Sequence, residues 1–223
     1  MIRATHTCLV ALVLLGLAAP PALAADLAGT VSYALGPSSV ERAAPTTALS
    51  EGSFIFEGDT LRTGANAIVQ IDMVDGARML LLPDSALTLQ DYRRPSRTRD
   101  PIARGAGDGK VTLRLLKGGF RARSGDIGKS HVQANYQIIA PVATVGLLGT
   151  DYLLRFCNMD CDSTVDMNGL YVGVQEGEIW IQNAGGHVHV KAGDYALVER
   201  GDSRAALYSS QPAALDVDDT FRD

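Results

Sequence analysis

The chain has 223 residues, with 20 Lys and Arg against 25 Asp and Glu and a formal net charge of −5. Phosphate binding rests on clustered cationic side chains, so this balance excludes a globally cationic nucleic-acid binder. After one apolar run near the start, nothing approaches 18 uninterrupted apolar residues, so no stable membrane anchor is expected.

Residues 1–24 read as an export signal: cationic Arg3, an apolar run from Cys8 to Ala19, a Pro20-Pro21 break and a small-residue cleavage site, Ala22-Leu23-Ala24. At about 1.5 Å per residue that run falls short of roughly 30 Å of hydrocarbon. A signal peptide cleaved after Ala24 is therefore expected, with the mature chain in the periplasm or outside the cell. Cys8 follows His6-Thr7, which is not a lipoprotein pattern. The 199 residues left carry a formal charge of −6. A domain of that size can bury about 70 % of its unfolded surface without help from a metal.

Along the mature chain the recurring period is two, the signature of half-buried strands. Val69, Ile71 and Met73 alternate with Ile68, Gln70 and Asp72 before Asp75-Gly76, a strong hairpin signal. Met79 to Leu82 returns as a buried strand, and Leu87 and Leu89 continue the pattern. Residues 92–110 break it with Arg93, Arg94, Arg97, Arg99, Arg104 and Lys110 among Pro and Gly. That segment reads as a solvated insertion loop, or as a contact for an anionic partner such as lipid headgroups or an acidic protein surface. Short strand candidates follow at Val111 to Leu116, Phe120 to Arg123, His131 to Ile139, Val142 to Val145 and Tyr152 to Phe156.

Cys157 and Cys161 are the two cysteines of the mature chain. In an oxidising compartment they are expected to form a disulfide. Extended residues four apart lie roughly 13 Å apart, whereas bridged Cα atoms lie about 4.4–6.8 Å apart. The chain must therefore turn at Asn158-Met159-Asp160. A redox role or a shared metal is the sharper alternative. Further on, Val172 and Val174 alternate with their neighbours, and Ile179 and Ile181 do so after Glu176-Gly177. Asn183 to Gly186 turns the chain, Val188 and Val190 return with His187 and His189 opposite, and Tyr195 to Val198 follows Gly193-Asp194. Beyond Arg200 the alternation fades into Asp216, Asp218, Asp219 and Asp223, which reads as a flexible acidic tail over 201–223.

These elements make an all-β domain over 25–200, built of many short strands as a sandwich, a roll or a short β-solenoid, with hairpins at Asp75-Gly76 and Asn183-Gly186. Catalytic patterns fail one by one. His187-x-His189 lacks the glutamate a cupin-like metal site would place near Gly193. Asn158-x-Asp160-x-Asp162 opens like a calcium loop but has Ser163 where glycine is needed and Gly169 where a glutamate is needed. Gly146 to Thr150 lacks the lysine of a phosphate loop, and no histidine accompanies a nucleophilic serine elbow. The RGD tripeptide at Arg200-Gly201-Asp202 reads as a turn. The chain is read as a non-enzyme without a cofactor.

One ordered run of turn residues starts with Gly58-Asp59-Thr60-Leu61-Arg62-Thr63-Gly64 and Asp75-Gly76, and continues through Leu82-Pro83, Ser85, Leu87 and Leu89 to Leu116-Lys117-Gly118-Gly119. It proceeds through Pro141-x-Ala143-x-x-Gly146-x-x-Gly149-Thr150 and Val174-x-Glu176-Gly177-x-Ile179-x-Ile181-x-Asn183 to Ala192-Gly193-Asp194. Taken in order, this set resembles the FecR-type periplasmic domain. Ile127-Gly128-Lys129, the paired cysteines and Gly169 to Val172 are similar to the stand-alone proteobacterial branch.

The resemblance implies a periplasmic β domain that binds proteins. Transmembrane members relay receptor occupancy to a cytoplasmic anti-sigma segment. Here about seven residues precede the apolar run, so this chain is expected to lack such a segment. Leu148 stands where the family usually has arginine. Three functions remain open. One is an interaction module docking through a sheet edge or face, with Trp180, Gln182, His187 and His189 as the contact surface. Another is a small-ligand or glycan-binding module that stacks ligands on Trp180 or Tyr171. The third is a hydrolase that uses paired carboxylates.

Overall fold

The structure is a computed structural model that describes residues 25–42, 45–94, 109–129, 135–161 and 167–222. The expected signal peptide lies outside the described residues, as do Arg97, Arg99, Arg104, His131, Asp162 and Asp223. The fold is all-β. Its strands are β1 Leu27–Leu35, β2 Ser38–Glu41, β3 Thr47–Ala48, β4 Phe54–Phe56, β5 Thr60–Thr63, β6 Ile68–Met73, β7 Arg78–Leu81, β8 Ala86–Arg93, β9 Lys110–Arg123, β10 Tyr136–Ile139, β11 Thr144–Cys157, β12 Gly169–Asn183, β13 Gly186–Lys191, β14 Tyr195–Val198 and β15 Ala206–Tyr208.

All belong to one open sheet, mixed because β9 and β10 run parallel. Three strands are unusually long, and each changes partners part-way. Residues 110–117 of β9 pair with β8 and β10, whereas residues 118–123 pair with β7 and β11. In β12, residues 170–173 pair with β14 and residues 178–183 with β13. The sheet thus has two halves that fold over a common core. Val31, Ile71, Met79, Phe120 and Leu154 of one half share it with Leu61, Leu87, Leu113, Ile138 and Ile179 of the other. This is the roll arrangement, without a repeat and without closure into a barrel.

The bends fall at Gly118, Gly149 and Gly177, whose φ angles are 66°, 58° and 78°. Side chains rarely adopt that conformation, and glycine does so at little cost. At Gly177 a Cβ would also lie 2.4 Å from the Gly149 carbonyl oxygen. Several short strands expected from the sequence are therefore single bent strands. Val111 to Leu116 joins Phe120 to Arg123 in β9, and the segments on either side of Glu176-Gly177 join in β12. The glycines that look like turn punctuation act as bulges that re-aim an unbroken strand.

Both expected hairpins form. β6 and β7 meet around Asp75-Gly76, with Gly76 at φ 82°. The carboxylate of Asp75 turns inward, accepting from the Tyr92 hydroxyl at 2.7 Å and from the Ala77 and Ile127 backbone N–H groups at 3.1 and 3.3 Å. Nearby, the Tyr136 and Tyr152 hydroxyls lie 3.1 Å apart. Burial pushes all three phenols above their ordinary range, and their mutual proximity adds to this at Tyr92 and Tyr152.

The expected flexible tail is instead packed. β15 pairs with β14, and a 3-10 turn at Ala213–Leu215 buries Ala214 and Leu215 against Leu82, Leu153, Tyr171 and Leu197. Residues 216–222 then cross the outer face of the sheet. Val217, Asp219 and Phe221 turn toward it, while Asp216, Asp218 and Thr220 face solvent. Composition pointed the other way because the solvent-facing positions carry much of the acidity, whereas the alternate positions are sorted for contact.

Two measurements check this account. Gly177→Ala should destabilise the protein by more than about 1 kcal/mol in urea denaturation, because alanine resists a positive φ. In alkaline titration followed by phenolate absorbance, Tyr92, Tyr136 and Tyr152 should stay protonated past the usual value of about 10. Their folded pKa values are raised, so their contribution is complete below the unfolded value and is lost as pH rises beyond it. The three should ionise together with unfolding.

Candidate functional site

The β12–β13 hairpin carries the residues singled out from the sequence. Its inward side chains Ile179, Ile181, Val188 and Val190 are buried, which directs Trp180, Gln182, His187 and His189 to the outer face. Asn183 secures its tip. The amide nitrogen donates to the carbonyls of Ser203 at 2.8 Å, Arg200 at 3.1 Å and Val142 at 3.3 Å, and its oxygen accepts from the Gly185 N–H at 2.9 Å. The hairpin is therefore pinned to the loops below it.

Gln182, His187 and His189 are exposed. His189 Nδ1 lies 2.5 Å from Glu178 Oε1, and the two imidazoles meet edge-on with centroids 4.7 Å apart. Trp180 departs from the expectation and is only 8 % exposed. It pairs across the ladder with Gly146, whose missing side chain leaves the space the indole fills; a Cβ there would lie 2.1 Å from Trp180 Cε2. The His187 ring stands 5.9 Å away on the other strand. The indole Nε1 has no hydrogen-bond partner among the described residues. The alternation told correctly which face Trp180 is on, but the bare Gly146 beside it is a matter of register that periodicity does not reveal.

β13 is an edge strand, pairing with β12 alone among the described residues. An edge leaves a row of main-chain donors and acceptors open to another strand. Its exposed His187, His189 and Lys191 flank that row. No helix among the described residues is long and apolar enough to cross a membrane.

The other candidates have structural work. Arg93 binds Glu57 and Asp91 at 3.2 and 3.1 Å, and Lys110 joins Asp91 at 2.9 Å, so these charges tie the end of β8 to the start of β9. The Lys110 hydrogen bond leads the effects that lower the Asp91 carboxyl below its usual range. Arg94 is exposed. Cys157 and Cys161 form the disulfide, with Cα atoms 5.4 Å apart. Met159 turns the chain between them at φ 61°, and Asp160 accepts from the Asn158 N–H at 2.7 Å. Tyr171 is buried and donates to the Met167 carbonyl at 2.9 Å. The buried carboxylates are likewise engaged: Asp59 by Arg42, Asp75 by Tyr92, and Asp151 by Arg121 and Arg123.

Sequence reading passed over Arg121, Arg123 and Asp151, although the two arginines sit at alternate positions of one strand. The missing information was the pairing of β9 with β11, which sets Asp151 against Arg123.

The family model described as FecR protein matches residues 59–180, from the buried Asp59 to Trp180 itself. The chain belongs to the FecR family. The match takes in β9, β11 and β12 as far as Trp180, and the hairpin turn and β13 lie beyond it. Two crystal structures of a protein described as a putative anti-sigma factor from Parabacteroides distasonis ATCC 8503 are similar at a TM-score of 0.46 and 11 % identity. The likeness covers 67 % of this FecR-family chain and 58 % of the other, so the chain spans less than two thirds of that protein. No curated protein matches this chain.

The seat of Trp180 is testable, since the chain has one tryptophan. Gly146→Ala should displace the indole, red-shift its emission and cost about 1–3 kcal/mol in thermal or urea unfolding through overpacking. Unchanged emission would contradict the close approach.

Proposed function

We propose that this FecR-family chain is an exported, periplasmic protein-interaction module. It serves envelope signalling, transport or secretion-associated assembly by capturing an envelope protein. The observation that carries this reading is the open edge of β13, flanked by His187, His189 and Lys191 on a hairpin that Asn183 pins in place. Strand addition uses the main chain for affinity and alternate side chains for specificity. A pre-positioned edge lowers the ordering cost of such docking. The family membership supports a role in signalling, and the opening apolar run supports export.

The glycan-stacking reading needs an exposed aromatic platform. Trp180 and Tyr171 are both buried, so the geometry favours protein capture. The buried carboxylates Asp59, Asp75 and Asp151 are bound to arginine or tyrosine, which favours the interaction reading over a carboxylate hydrolase.

In cells, a photoreactive side chain at position 187 should crosslink a discrete envelope protein identified by mass spectrometry. One at Arg204 serves as the control. Gln182→Glu combined with His187→Glu and His189→Glu should reduce capture at least tenfold without changing the circular dichroism spectrum. Equal capture by the folded triple variant would remove the hairpin from the function. Recovery of the mature chain in the periplasmic fraction with Ala25 at its N-terminus is the expected outcome for export.

A further inference from the structure

We propose a second recognition surface on the other half of the sheet: the outer face of β6, β7, β9 and β11 is a site for an extended acidic–aromatic segment of a partner protein. The chain's own residues 219–222 occupy that site in cis.

Three contacts define what the site reads. The first is main-chain recognition by Gln70, a polar residue only 2 % exposed although its neighbour on the same face of β6, Asp72, is open to solvent. Its Nε2 donates to the Arg222 carbonyl at 2.9 Å and its Oε1 accepts from the Arg222 N–H at 2.7 Å. One amide side chain thus satisfies both backbone groups of one residue, as a neighbouring strand would, and does so whatever side chain that residue bears. The Gln70 Nε2 also lies 3.1 Å from Ser32 Oγ, which holds the amide in place.

The second contact reads negative charge. Arg121 is fixed by two bonds to Asp151 at 3.0 and 3.1 Å, leaving Nη1 to face the segment. That nitrogen donates to the Asp219 carbonyl at 3.2 Å and lies 3.6 Å from its carboxylate. Arg123 shares the Asp151 carboxylate at 3.0 Å, and Arg78 pairs with Asp72 at 3.3 Å. Three guanidiniums thus stand among Asp151, Asp72 and Glu176, and these carboxylates hold them in place with Arg121 Nη1 turned to an incoming anion. The third contact reads an aromatic ring. The centroid of Phe221 lies 5.0, 5.8 and 5.9 Å from the guanidinium carbons of Arg121, Arg123 and Arg78, within reach of cation–π attraction to all three.

The preferred ligand follows from this spacing: a carboxylate, one free position, an aromatic ring, then a residue held through its backbone. Residues 216–222 form no β ladder with the sheet, so side chains and the Gln70 clamp hold them. Such a strap can exchange. Tethered behind the buried Leu215, it competes at an effective concentration on the order of mM, the usual value for a short link. A partner must exceed that threshold to displace it. The surface lies apart from the β13 edge, so the two proposals stand or fall separately.

The test uses the full chain with Asp219→Asn and Phe221→Ala and a fluorescent synthetic peptide copying residues 215–222. In this vacated chain the strap loses its carboxylate and ring contacts and keeps only main-chain ones. Anisotropy at low salt should show saturable binding to the vacated chain and at least tenfold weaker binding to the unaltered one. Replacing the peptide's phenylalanine by alanine should weaken binding at least fivefold. Adding Arg78→Gln and Arg123→Gln to the vacated chain should do the same, while Arg121 still neutralises Asp151 and the circular dichroism is unchanged. Absence of saturable binding to the folded, vacated chain would overturn the proposal. So would binding indifferent to the phenylalanine and to the arginines. A concentration-dependent dimer of the unaltered chain that disappears with Phe221→Ala, without peptide binding, would also overturn it by making the contact an exchange between copies.

Discussion

The fold depends on three strands passing from one half of the sheet to the other without stopping. β9 crosses at Gly118, whereas β11 and β12 cross at Gly149 and Gly177. These crossings lie at opposite ends of the β9–β11 ladder, because Gly118 pairs with Phe156 while Gly149 precedes Asp151, the partner of Arg123. The two halves are therefore held face to face from both ends, which encloses the core without a closed barrel. Positive φ at these positions is what permits it, since a bend made by any other residue would add strain.

Folding one sheet over itself sorts charge as well as apolar surface. The shared interior leaves room for a few polar groups, and its acid and phenols are matched: the Asp75 carboxylate with Tyr92, and the Tyr136 hydroxyl with that of Tyr152. Burying a carboxylate without a partner would cost several kcal/mol, so Asp151 is accompanied by two arginines. That requirement places cationic groups on an outer face of an acidic protein. The hairpin of β12 and β13 differs in kind, offering an open main-chain edge beside imidazoles. One molecule thus presents two unlike surfaces, on parts of the sheet joined by continuous strands.

The class of fold was legible in the sequence because alternation and turn chemistry report directly on pleat and burial. Asp75-Gly76 and Asn183 to Gly186 act through φ preferences local to a few residues, and both hairpins form. Glycine inside a strand was ambiguous, since a bend and a turn both need φ > 0. Only long-range pairing distinguishes Gly177, inside β12, from Gly76, between β6 and β7. The cysteine pair was legible from spacing and the turn it demanded. Trp180 and the C-terminal segment were not, for one reason. Whether an outward face is covered depends on what lies across the ladder, whether the bare Gly146 or the strap over Gln70. Those neighbours are distant in sequence: residue 222 meets residue 70.

The continuity of β12 has a mechanical consequence. Its C-terminal part carries the hairpin edge, and its N-terminal part lies in the ladder with β11 and β14 beneath Leu215. A pull on a strand added to β13 would run along β12 and load its long ladder with β11 lengthwise. Those hydrogen bonds would then share the force in parallel and yield together, whereas a pull across the ladder would open them one after another. A protein built this way can serve as a tether with a direction of strength.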